Sequence, residues 1–115
     1  MNPPDFNDMV KMIDKIQSLT YTKLRLKLEL EIAEAQISKD AVVDPKYFEG
    51  GKAPSMTYIK AVYFPAGFSG ELKEKRLELA QTEADLGKAQ GLFDILKMQF
   101  DAWRTEQANN RNTLI

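Results

Sequence analysis

The chain contains neither cysteine nor histidine. Disulfides, thiol nucleophiles, imidazole catalysis and Cys/His zinc sites are thereby excluded. Long apolar runs are missing as well. Nowhere do about 18 consecutive apolar residues occur, so no segment is expected to span a membrane. Residues 1–20 carry acids throughout and have no apolar core segment, so no signal peptide is expected. Neither charge is in excess: 16 basic and 17 acidic side chains give a formal net charge of -1. No global field therefore draws the chain to nucleic acid or to an anionic membrane. Walker, dinucleotide, calcium-loop, metalloprotease and serine-elbow motifs are absent. No catalytic residue, metal site or cofactor is expected, and the chain does not read as an enzyme.

What is present is helix. The 115 residues suffice for one domain. Residues 5–39 read as a long first helix, 40–68 as a connecting segment, 69–108 as a long second helix and 109–115 as a polar tail that frays. Pro45, Pro54, Pro65, Gly50, Gly51 and Gly67 punctuate the connection.

Met9, Met12, Ile16, Leu19, Lys23, Leu26, Leu30, Ala33 and Ile37 follow one another at spacings that alternate three and four. That is the heptad seam of a helix packed on a partner helix, with Lys23 a polar interruption that can set register. Leu24, Leu26, Leu28, Leu30 and Ile32 also alternate with charged residues as a strand would. The surrounding Lys, Leu, Arg, Glu and Ala are helix formers and decide for helix. A second stripe, Tyr21, Leu24, Leu28, Ile32 and Ala35, lies roughly opposite the seam at 100° per residue. One neighbour covers only one face, so this stripe is the expected oligomerisation surface.

Ser69 is the expected cap of the second helix, with Glu71 and Glu74 in or near its first turn. Its seam includes Leu72, Leu79, Leu86, Phe93, Leu96, Phe100 and Trp103. Another row, Leu77, Ala80, Ala84, Gly87, Gly91, Ile95 and Met98, is small in its middle. Gly87 and Gly91 either admit another backbone at close range, as part of the oligomer contact, or mark a weak point in the helix. Phe100 and Trp103 either close the end of the core or dock a partner.

The connecting segment is too apolar for a flexible tether. Ser55 can cap a short helix over residues 56–64 that pairs Tyr58 with Val62 and Ile59 with Tyr63, although the same residues also suit a short strand. Either way the segment is expected to fold back over the hairpin end or to dock on a neighbour.

Two kinds of charge cluster remain. Glu71, Glu74 and Glu78, like Glu31 and Glu34, share helix faces and read as solvated surface. Lys23, Arg25 and Lys27 in the first helix and Lys73, Lys75 and Arg76 in the second form modest basic patches suited to a few phosphate contacts. Tyr21, Tyr58, Tyr63 or Phe64 would stack on bases if exposed. The plain alternative is that these lysines solubilise the helices while the aromatics pack inside.

The leucine- and lysine-rich stretch from Lys23 to Leu28, the segment opening with Ser55 and Met56, and the long second helix bearing Phe93, Phe100 and Trp103 together resemble the small recombination mediators of T4-type phages. That resemblance implies a helical, oligomeric, non-catalytic protein binding single-stranded DNA, with Lys23, Arg25 and Lys27 as contacts. It also implies a place in the cytoplasm of a host cell, or in the virion.

The resulting expectation is an all-α, oligomeric, antiparallel helical hairpin or coiled coil with an elaborated connection. It serves either as an accessory protein binding single-stranded DNA or a recombination or replication protein, or as a structural or adaptor protein of a phage particle or larger complex.

Overall fold

The computed structural model describes residues 2–66 and 71–113. The expected Ser69 cap and the Gly67 break lie outside the described residues, as does the side chain of Glu71. Helix α1 spans Phe6–Val43. It begins where Asp5 accepts a hydrogen bond from the Asn7 amide at 2.8 Å, a side-chain cap for an otherwise unpaired N–H. It ends at Asp44, whose carboxylate accepts from the Lys46 amide and opens a 3₁₀ turn over Pro45–Tyr47. Next come Gly50 and Gly51, both with positive φ, between the mutually hydrogen-bonded Glu49 and Lys52. Paired positive φ values make a tight primed turn that only glycine adopts without steric cost.

Residues 56–66 are helical, as the capping serine suggested. Ser55 Oγ accepts from the Tyr58 amide at 3.2 Å. The helix runs as α2 (Met56–Tyr58), a π-helical turn (Ile59–Tyr63) and α3 (Phe64–Ala66). The π turn changes the expected side-chain pairing. Its bonds reach five residues back, as from the Phe64 amide to the Ile59 carbonyl. Tyr58 therefore meets Tyr63, ring centroids 5.6 Å apart, rather than Val62, which is left exposed. Helix α4 then spans Glu71–Thr113, so residues 109–113, expected as tail, continue the helix.

Contacts divide the chain into two compact units, Thr22–Thr82 and Met1–Tyr21 with Glu83–Ile115. In each, a stretch of α1 packs on a stretch of α4, the pairing of a helical hairpin. Within Thr22–Thr82, Leu30 and Ile37 of α1 and Leu72 of α4 form a core with Ala41, Ile59 and Phe64. The connecting segment thus supplies a third layer, folded back as its apolar content demanded. Within the other unit, Leu86 and Ala89 are buried. There Phe6 of α1 meets Phe100 of α4 edge-on at 5.3 Å.

The α1 seam faces inward along its length: every one of its residues is buried or half-buried. On α4 the inward row also holds Lys75, Arg76, Thr82 and Ala89. No helix among the described residues is long and apolar enough to cross a membrane.

Candidate functional site

The hairpin leaves the second stripe of α1 open. Within Thr22–Thr82, Leu24, Leu28 and Ile32 are 60%, 57% and 62% exposed. The cause is angular: Leu26 and Leu30 occupy the buried side of the same turns, so their neighbours two positions away point outward. Ala35 continues the stripe and is exposed. In the other unit Tyr21 is also exposed, as are Val10 and Ile13.

The corresponding row of α4 is open too. Leu77 and Ala80 are exposed in Thr22–Thr82, and Ala84, Gly87, Gly91, Ile95 and Met98 in the other unit. A Cβ built on Gly87 or Gly91 would meet no described atom within 4 Å beyond the adjoining residues and backbone of its own helix, and α4 is unbroken across both. Nothing among the described residues uses the space they leave. Beside them lies a feature that periodicity could not reveal. Pro3 and Pro4 come alongside Ile95, Met98 and Ala102 to line an apolar groove of about 580 Å³. Ile95 and Met98 were legible as part of the small-residue row, whereas two prolines before the first helix carry no periodic signal.

The basic residues are dispersed. Arg25 donates to Glu29 at 2.9 Å, and Lys75 reaches the other oxygen of the same carboxylate at 3.0 Å. Arg76 donates to Glu34 at 3.0 Å. Lys23 is half-buried in the seam, while Lys27 and Lys73 are exposed. The two arginines and Lys75 therefore tie α1 to α4 or to itself, and leave only Lys27 and Lys73 fully in solvent. The bond from Lys75, then that from Arg25, holds the Glu29 carboxyl below its ordinary range.

A carboxyl with a depressed folded pKa favours the fold above its unfolded value and loses that contribution as pH falls through the folded value. Stability should therefore decline on acidification below pH 4.5, the ordinary value for Glu29. Glu29→Gln should flatten that part of the curve of urea midpoint against pH. The effect is small because the pair is solvent-screened. An unchanged slope in the variant would remove Glu29 as its source.

Of the aromatic side chains considered for stacking, Tyr58 and Tyr63 pack against each other and Phe64 is buried, while Tyr21 is exposed. Tyr47 and Tyr63 meet edge-on at 5.5 Å, Tyr63 donates to the Tyr47 carbonyl at 3.3 Å, and Phe64 is buried. Tyr58 donates to Glu49 at 2.9 Å, which pushes its phenol pKa up because the carboxylate favours the protonated form. Phe100 and Trp103 stack with centroids 6.0 Å apart and are half-buried. Phe100 also packs on Phe6 at the start of α1. Beside Trp103, an open groove of about 490 Å³ is lined by Arg104, Gln107, Ala108 and Arg111. Arg104 adjoins Trp103 in the sequence, whereas Arg111 falls in the stretch expected as polar tail and joins that face only because the helix continues through it.

Among the described residues no group of three or more acidic side chains is placed to hold a metal ion. Searches among protein-family models, curated proteins and solved structures found no match to this chain.

Proposed function

We propose that this chain is a non-enzymatic assembly protein, a helical hairpin that acts by joining copies of itself into an oligomer. The observation that carries this reading is the outward stripe Leu24, Leu28 and Ile32, which the hairpin and its third layer leave open. Scattered exposed leucines are ordinary. An aligned row of large aliphatics at helical spacing, opposite a filled seam, is the pattern of a helix packed on both sides.

A second reading, binding of single-stranded DNA, has its own support in the groove beside Trp103. An aromatic face with two guanidinium groups suits a stacked base and its phosphates. This is the form that the resemblance to recombination mediators would take here, with the contacts moved from the residue 23–27 stretch toward the end of α4.

Light scattering of the purified chain tests the first reading. The mass should be two or more times 13.1 kDa at micromolar concentration, and a 13.1 kDa species at every concentration would overturn it. Adding a single-stranded oligonucleotide to the same sample tests the second. Salt-sensitive binding weakened by Arg104→Glu with Arg111→Glu supports that groove, and binding weakened instead by Lys27→Glu with Lys73→Glu places the contact on the helix surfaces.

A further inference from the structure

We infer that two copies of this chain pair through the outer face of α1 in the Thr22–Thr82 unit, antiparallel, about a two-fold axis level with residues 29–30. This rests on the assembly reading and adds to it the occupant, the direction and the register.

Charge complementarity fixes the direction. Lys27 and Glu31 flank the stripe Leu24, Leu28 and Ile32 on one side, four residues apart and one turn from each other. Both are exposed, and neither is in an ion pair among the described residues. On the other flank Arg25 already holds Glu29. A two-fold axis perpendicular to both helices brings each flank against the same flank of the second copy. Level with the midpoint of residues 29 and 30, it sets Lys27 within one residue's rise of Glu31 of the second copy, and Glu31 likewise of that copy's Lys27. The same axis sets Leu24 level with the small Ala35, a large side chain against a small one, and Leu28 within one residue's rise of Ile32. A parallel pair would instead face Lys27 and Glu31 with the Arg25 flank, whose charges are already satisfied, and would leave both unmatched.

The aliphatic stripe supplies more than half the area of a small specific interface. At their observed exposures the three aliphatics present on the order of 350 Å² per copy, about 700 Å² for the pair, against roughly 1,200 Å² at the low end of specific interfaces. Ala35 and the methylene stems of Lys27 and Lys39, all exposed, lie on or beside the stripe and add to it.

Leu28→Glu tests the face. The side chain is exposed, so helical content by circular dichroism should be unchanged while the dissociation constant rises by at least about 100-fold. Lys27→Glu tests the direction: it should weaken pairing by about tenfold, and adding Glu31→Lys to the same chain should restore it. Restoration by the double exchange supports the antiparallel register, and failure to restore overturns it. If the native chain is oligomeric but indifferent to Leu28→Glu, this face is not the interface, although assembly stands. If the native chain is monomeric at every concentration, the pairing and the assembly reading fall together.

Discussion

Ile59→Ala is expected to lower stability by about 3 kcal/mol, and with it the thermal midpoint by roughly 10–20 °C. Ile59 is fully buried, although it lies in the connection and not in either long helix. Its side chain joins Ile37 and Ala41 of α1 to Leu72 of α4 in one cluster. Removing it deletes the transfer energy of three carbons. It also leaves a cavity between a rigid π turn and two helices that cannot close on it. Leu28→Ala provides the comparison. It removes the same number of carbons from an exposed site, and for the single chain should cost no more than about 0.5 kcal/mol. Urea unfolding of both variants, in dilute solution, measures the difference. Equal midpoints would mean that the connecting segment does not belong to the core.

The contrast between those two residues also marks what the sequence could reveal. Period alone sorted α1 into a buried seam and an open stripe, because alternating three- and four-residue spacings leave each apolar side chain one allowed face. Thr82 and Ala89 escaped the same reading. Both are buried in the α4 row, but a threonine and an alanine carry little hydropathy signal, and their burial follows from position. The bridge from Lys75 to Glu29 spans 46 residues and depends on helix register, which composition does not state. The π turn was illegible for a related reason: one residue's shift in hydrogen bonding exchanges Val62 for Tyr63 as the neighbour of Tyr58 without changing the helical pattern. Residues 109–113 looked like tail because asparagine is a poor helix former. With no glycine or proline to stop it, an existing helix adds such residues at little cost. The candidate surface was therefore legible in its apolar part, whereas the grooves beside Pro3 and Trp103 required coordinates.

Amide hydrogen exchange should divide the chain unevenly. In Thr22–Thr82 the connecting segment lays Ile59 and Phe64 over the helices, and Leu26, Leu30, Ile37, Ala41 and Leu72 are buried with them. In the other unit the buried described residues are Leu86 and Ala89, and the rest of the seam is half-covered. Two helices alone hide one stripe each, so opening that unit exposes less apolar surface and costs less free energy. Amides of residues 9–19 and 89–100 are therefore expected to exchange about 10- to 100-fold faster than those of residues 30–37 and 72–79. Mass spectrometry of peptides from a dilute, unassociated sample measures this directly. Equal protection throughout would mean that α1 and α4 open as single cooperative rods, with the third layer stabilising their whole length. Faster exchange in residues 9–19 would locate the thinner cover in the unit where Val10, Ile13, Ile95 and Met98 stand exposed. A second partner bound there would then slow exchange most in the residues that had opened first, because stabilisation by binding appears where the free chain is weakest.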